Sequence, residues 1–357
     1  MKLPDFPWDA LAPYGDVARK HANGIIDLSQ GTPVDSVPSF IQDALKAASN
    51  SPSYPQTIGT PELREALRNW ASNFLGVTGE FDVLPTIGSK ELVAWLPTIL
   101  ESNEVLYPKI AYPTYLVGAI IAKANAIAVD ISASTWPNSD LAWINSPSNP
   151  TGRVHSDSEL EEVIAYSRRS GAIVVSDECY INFPATDKIP TSILKLAKGD
   201  NKNLLAVHSM SKRSNLAGYR AGLIVGDKDL IAKIREVRKH AGMMVPAPVQ
   251  SAFAAALKDE THVKEQALRY LNRRKTLQPA LESVGFKVDH SEAGLYIWCS
   301  RNEDSWKSVE WLSKLGILND DQEYLPAGNP NLIKQAKVRK TIDYEVFDWM
   351  IESRQTS

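Results

Sequence analysis

The segment Ser209-Met210-Ser211-Lys212-Arg213-Ser214-Asn215-Leu216-Ala217-Gly218-Tyr219-Arg220 follows directly on the apolar run Leu204–His208. A lysine at the end of a buried strand, partly desolvated and near Arg220, is expected to have a lowered amine pKa. That is the condition for forming an imine at neutral pH. Ser209, three residues before Lys212, and Arg220, eight after it, offer a hydroxyl and a guanidinium to a phosphate. The guanidinium can bind it bidentately. A solvated loop lysine is the plainer alternative.

Three further segments place polar residues where apolar runs stop. In Ala172-Ile173-Val174-Val175-Ser176-Asp177-Glu178-Cys179-Tyr180 the carboxylate of Asp177 stands at a strand end and needs a partner. A pyridinium nitrogen would be one, and Asp177 would keep it protonated. Tyr180 follows at a spacing that reaches a phenolic oxygen on the same ring. Capping of the next helix explains Asp177 equally well. In Asn145-Ser146-Pro147-Ser148-Asn149-Pro150-Thr151-Gly152, Pro and Gly set a tight turn that aims the Asn149 amide inward, unless it is an ordinary Asn-Pro turn. In Pro85-Thr86-Ile87-Gly88-Ser89-Lys90-Glu91 a turn opens a helix. There the backbone N–H groups of Gly88, Ser89 and Lys90 make a phosphate site, with plain N-capping by Ser89 as the alternative.

The elements that must carry these residues are legible as alternation. From about residue 39 to 240, helical stretches (62–74, 90–100, 157–169) separate short apolar runs at 104–107, 141–145, 172–176, 204–208 and 223–225. Such alternation predicts a mainly parallel sheet with helices on both faces, and ligands bind such sheets outside the carboxyl ends of the strands. Residues 1–38 are rich in Pro and Gly and are read as an extended arm. Beyond about 245, helices at 247–258 and 263–283 precede a strand pair near 286–288 and 295–299 and then two more helices, an α+β pattern. We therefore expect a large domain over 39–245 and a smaller one over 246–357, with the arm, 1–38, joining the smaller domain.

Taken together, these motifs resemble the aspartate aminotransferase family (class I/II) of fold-type I enzymes that use pyridoxal 5'-phosphate (PLP). The Asn-Pro-x-Gly turn, the Asp-x-x-Tyr strand end and the Ser-x-x-Lys-x7-Arg segment occur in the family's order and approximate spacing. The resemblance implies a seven-stranded, mainly parallel sheet sandwiched by helices, with a smaller α+β domain. It makes Lys212 the Schiff-base residue and proton shuttle, and Asp177 the partner of the pyridine nitrogen. Asn149 and Tyr180 become ligands of the ring oxygen, and Ser209, Arg220 and the Gly88-Ser89-Lys90 turn ligands of the phosphate. Tyr112, in Ala111-Tyr112-Pro113-Thr114-Tyr115, stands where an aromatic ring stacks on the cofactor. Tyr54, five residues before Gly59, resembles the tyrosine that reaches the neighbouring subunit's phosphate, which implies a homodimer with shared active sites.

The resemblance extends to the actinobacterial N-succinyldiaminopimelate aminotransferases of lysine biosynthesis. It is carried by Gly31-Thr32-Pro33-Val34-Asp35, by residues 85–97, and by Arg238-Lys239-His240-Ala241-Gly242-Met243-Met244-Val245-Pro246. It implies N-succinyl-LL-2,6-diaminopimelate as substrate, with 2-oxoglutarate and glutamate as the other pair. After Leu315-Gly316-Ile317-Leu318 the usual Pro-Gly and Tyr/Phe-Gly turns are missing. Arg339 is the best match for the arginine that binds the substrate α-carboxylate, the alternative being an exposed member of a basic cluster. Asn149 and the backbone at Gly31 are the other substrate-binding candidates.

Composition narrows the competing readings. The 357 residues, 43% hydrophobic and 23% charged, suit a globular protein of about two domains. A net charge of -3 gives no reason to expect nucleic acid or an anionic membrane as partner. Two distant cysteines and six scattered histidines support neither a disulfide framework nor a metal site. They fit a cytoplasmic setting, as does an N-terminus without signal-peptide character. No phosphate-loop, dinucleotide or nucleophile-elbow motif is present. A β-elimination or decarboxylating enzyme with the same cofactor stays open, as does a non-enzymatic PLP-binding regulator, which the lack of a basic stripe disfavours.

Overall fold

The computed structural model describes residues 2–4, 7–187 and 189–319, with the backbone of 334–337. The helices in chain order are α1 (Ala12–Arg19), α2 (Ser39–Ala47), α3 (Pro61–Asn73), α4 (Ser89–Ile99), α5 (Thr114–Ala122), α6 (Asp157–Ser170), α7 (Ile193–Leu196), α8 (Met210–Arg213), α9 (Lys228–His240), α10 (Ala247–Lys258), α11 (Thr261–Ser283) and α12 (Ser305–Lys314). The strands are β1 (Ile26–Asp27), β2 (Asp82–Ile87), β3 (Glu104–Pro108), β4 (Asn125–Val129), β5 (Leu141–Asn145), β6 (Ile173–Asp177), β7 (Leu204–Ser209), β8 (Ala221–Gly226), β9 (Lys287–Val288), β10 (Tyr296–Ser300), β11 (Ile317–Leu318) and β12 (Lys334–Lys337).

Seven strands form one sheet in the order β2-β8-β7-β6-β5-β3-β4. It is parallel from β7 to β4, and β8 runs antiparallel to both of its neighbours. The strands are apolar nearly throughout because both faces are covered. Successive residues of β7 show this: Leu204 and Ala206 pack into one core, Leu205 and Val207 into the other. The register sets the site, since Asn145 lies opposite Asp177 and Asp177 opposite Val207. The chain therefore leaves β5, β6 and β7 at nearly the same level, on the carboxyl edge of the sheet.

Helix starts follow local chemistry. Ser156 and Glu159 form a reciprocal capping box on α6, and Gly171 closes that helix in the left-handed conformation. Thr60 caps α3, with Pro61 at its first position.

Several expectations are corrected. The first 38 residues are not one extended arm: α1 forms within them, and β1 pairs in parallel with β11, fastened by Ile26 N–H to the Gly316 carbonyl (2.8 Å) and Leu28 N–H to that of Leu318 (2.7 Å). The run from 82 to 87 is a strand, since Pro85 falls on an edge strand where its missing N–H costs nothing. Beyond the strand pair one helix, α12, is described; the second expected helix lies outside the described residues. The small antiparallel sheet has a third strand, in the order β12-β10-β9. No helix among the described residues is long and apolar enough to cross a membrane.

Candidate active site

A cavity of about 340 Å3 opens at the carboxyl edge of the large sheet. Gly31, Ser89, Lys90, Tyr112, Asn149, Asp177, Tyr180, Ser209, Lys212 and Arg220 all line it, so the structure brings together ten of the thirteen expected residues. Gly88 stands directly behind the wall, Tyr54 is 95% exposed and does not reach the cavity, and Arg339 lies outside the described residues.

One end of the cavity collects donors. Ser209 ends β7 and caps the short α8, accepting from Ser211 N–H at 3.1 Å. Lys212 projects from that turn and its ammonium donates to the Gly31 carbonyl. Arg220 is held by the Ala217 carbonyl at 2.9 Å. Its guanidinium occupies the space in which a Cβ at residue 88 would lie, and Gly88 has φ 72°, so a glycine is required there on two counts. Gly222 allows a second close approach, since a Cβ there would be 3.0 Å from the Ser89 nitrogen. Gly88, not Ser89, is the N-cap of α4, and no side chain satisfies its first N–H groups. Burial, and then the neighbouring Arg220, push the Lys90 ammonium below its usual range. Two cations, a hydroxyl and an uncapped helix start make a site suited to a phosphate.

The cavity also holds one carboxylate, that of Asp177. Asp177 is 6% exposed; its Oδ2 accepts from the Tyr115 phenol at 2.9 Å and its Oδ1 from Cys179 N–H at 3.2 Å. No ion pair reaches it among the described residues, and burial pushes its carboxyl up. A cationic N–H entering the cavity would supply the missing partner and favour the carboxylate. Asn149 shows a similar deficit, its Oδ1 being buried without a hydrogen bond. Its turn is fixed by Asn145, which accepts from Asn149 N–H at 2.6 Å and donates to the Pro147 and Asp177 carbonyls.

Some site residues escaped the sequence reading. Tyr296 on β10 lines the cavity and shares a 2.8 Å hydrogen bond with Tyr180. Trp8 forms part of the wall near Lys90, whose ammonium lies 5.9 Å from the indole centre. Tyr115, in the first turn of α5, packs edge to face with Tyr112, which precedes the helix. Beneath the floor, Glu178 and His208 face each other at 3.4 Å, fully buried. Burial favours the uncharged form of each, raising the carboxyl to about 7 and lowering the imidazole to about 3. The aromatic edge of Trp70 packs on His208.

Residues 23–342 match the family model of the class I and II aminotransferases. The chain belongs to that family. A 4-dedimethylamino-4-oxo-anhydrotetracycline transaminase, OxyQ, of Streptomyces rimosus is 50% identical over 325 residues, 89% of this chain and 90% of the relative. The probable aminotransferase Rv1178 of Mycobacterium tuberculosis is 48% identical over 342 residues, 94% of this chain and 82% of the relative. A probable N-succinyldiaminopimelate aminotransferase from Thermus thermophilus has the same fold, with a TM-score of 0.86 over 99% of this chain and 100% of that one, at 23% identity. The aminotransferase thus depends on PLP and acts on amino acids and 2-oxo acids. The cavity suits that cofactor: the donors at one end fit its phosphate, the unpaired Asp177 its ring nitrogen, and the unsatisfied Asn149 amide its ring substituents. Among the described residues no group of His, Cys, Asp and Glu could hold a metal ion.

Proposed function

We propose that this aminotransferase moves an amino group between an amino acid and a 2-oxo acid, with Lys212 both holding the cofactor and moving the proton. The observation that carries the reading is the convergence of Lys212, Asp177, Asn149 and Arg220 on one cavity at the ends of adjacent strands. When bound, PLP supplies an electron sink for the carbanion left at the substrate Cα. Arg220, Ser209 and the Gly88-Ser89-Lys90 turn hold the phosphate, while Asp177 keeps the ring nitrogen protonated from a floor that Tyr115 fixes. Asn149 and Tyr180 set the ring oxygen, and Tyr112 stacks on the ring. As a free amine beside the bound substrate, Lys212 Nζ would take the proton from the substrate Cα and hold it for return. General acid–base transfer of this kind contributes on the order of 10²–10⁴ in rate.

Gly31 and Asn149 bound the substrate side, and Arg339 is assigned to the α-carboxylate. Tyr54, exposed on one subunit, is assigned to the neighbouring subunit's phosphate in a cytoplasmic homodimer. The arm, 39–245 and 246–357 are retained as the functional division of the chain.

N-succinyl-LL-2,6-diaminopimelate with 2-oxoglutarate remains the substrate pair suggested by the motifs at 31–35, 85–97 and 238–246 and by the named activity of the Thermus protein. A second reading is an acceptor with a cyclic ketone, favoured by the 50% identity to the tetracycline-pathway transaminase and by walls built from Trp8, Tyr112 and Tyr296. Ranking amino donors with 2-oxoglutarate by kcat/KM tests the choice, since that ratio reports transition-state discrimination. Turnover of succinyldiaminopimelate far above that of other donors supports the first. Negligible turnover of every acyl-diamino acid, with activity on a polycyclic ketone, supports the second. Ketone release without transfer to any acceptor would contradict transamination itself.

A further inference from the structure

We propose that Tyr296 is a positioning residue for Tyr180: its phenol donates to the Tyr180 oxygen, so that Tyr180 directs its own hydrogen into the cavity. The inference rests on the reading of Lys212 and Tyr180 given above and adds a residue that the motifs do not contain.

The two hydroxyls are 2.8 Å apart, and their rings meet edge to face with centroids separated by 5.6 Å. Both side chains are buried, and both line the cavity. One of the two hydroxyl hydrogens makes the bond between them, and when Tyr296 supplies it the Tyr180 hydrogen is the one directed at the cavity. An anionic ring oxygen only accepts, so it takes the Tyr180 hydrogen and orders the pair as Tyr296 to Tyr180 to ring. Hydrogen bonds in series polarise one another, and Tyr180 becomes the stronger donor.

Tyr296 is well placed to hold this geometry. Its carbonyl accepts from the buried Arg274 at 2.9 Å and from Ser291 Oγ at 3.1 Å, and Arg274 also binds the Gly294 carbonyl at 3.1 Å. Its hydroxyl lies 2.7 Å from where a Cβ at residue 31 would stand, so the arm needs glycine to pass it and present the Gly31 carbonyl to Lys212. One hydroxyl thus touches both the ring-oxygen ligand and the substrate-side arm. The other titratable groups facing Tyr180 are Asp177 and Cys179 from its own segment and, across the cavity, Lys212, Lys90, Arg220 and Tyr112.

The test is the pH titration of the holoenzyme's visible absorbance, which reports protonation of the nitrogen joining Lys212 to the cofactor. A donor on the ring oxygen favours the deprotonated form, so weakening that donor raises the midpoint. Tyr296→Phe should raise it by about half a pH unit, roughly a threefold change in the equilibrium. Tyr180→Phe should raise it further, and the double variant should match Tyr180→Phe alone. Replacing Tyr296 by 3-fluorotyrosine, a stronger donor of nearly equal volume, should lower the midpoint; this arm serves if the phenylalanine variant fails to fold. An unchanged or lowered midpoint in folded Tyr296→Phe, a raised one in the fluorinated protein, or an undiminished effect of Tyr296→Phe without the Tyr180 hydroxyl would overturn the proposal. A parent protein with no Lys212-dependent visible band would instead defeat the underlying reading.

Discussion

The Tyr115 phenol donates to Asp177 Oδ2 across 2.9 Å, joining the first turn of α5 to the end of β6 at the floor of the cavity. Tyr115 is fully buried and stacks on Trp143 with ring centroids 5.0 Å apart. The bond stabilises the carboxylate against the burial that pushes it toward the acid. Tyr115→Phe keeps the packing and removes the bond. We expect kcat/KM to fall roughly 10-fold, the equivalent of one charge-assisted hydrogen bond, with the melting temperature little changed. Steady-state kinetics would decide it; parental activity would show that Asp177 needs no help from Tyr115.

Asp177→Asn should still bind PLP, because Ser209, Arg220 and the Gly88-Ser89-Lys90 turn are left unchanged. A neutral amide cannot keep the ring nitrogen protonated, so turnover should fall by about 10²-fold or more. Equal turnover in variant and parent removes Asp177 from the mechanism.

Gly88→Ala puts a methyl group into the Arg220 guanidinium at a residue with φ 72°. Strain of this kind costs about 1–3 kcal/mol, and relief by moving Arg220 spoils the phosphate site. Equilibrium dialysis should show PLP binding at least several-fold weaker. Unchanged affinity would place the phosphate elsewhere.

The buried Glu178–His208 pair makes a prediction about pH. The Glu178 carboxyl is raised from 4.5 to about 7 and the His208 imidazole lowered from 6.5 to about 3. Between pH 4.5 and 6.5 unfolding therefore moves one proton from the carboxyl to the imidazole, and the pair adds no slope to stability. Glu178→Gln leaves the depressed histidine alone; its contribution is present above pH 6.5 and is lost as pH falls toward 3. The stability deficit of the variant should thus widen below pH 6.5, approaching about 1.4 kcal/mol per pH unit. Urea unfolding at several pH values measures it, and a deficit independent of pH would contradict the assignment.

Residues next to strand ends were the most legible in the sequence. Asp177, Asn149 and Lys212 each follow an apolar run, and the alternation of runs and helices places those ends on one edge of a sheet. Strand order was not readable in this way. β8 lies between β7 and β2, a placement no local pattern reveals, and Gly222 lets it pass close under the start of α4. Tyr296 was hidden for a different reason. In Leu295-Tyr296-Ile297-Trp298 it has the appearance of a core strand residue, and its contact with Tyr180, distant in the chain, is visible only in the folded structure. The 1–38 segment hid α1 because the helix itself carries Pro13, tolerated in its first turn, and Gly15, a poor helix former.

The central claim is that Lys212 carries the cofactor covalently. Borohydride reduction of the PLP-loaded protein, followed by digestion and mass mapping, tests it directly. The account predicts a stable pyridoxyl adduct on the peptide containing Lys212 and none in Lys212→Ala, which should also lose the visible absorbance while keeping its fold. An adduct on another lysine, or an undiminished visible band in Lys212→Ala, would contradict it.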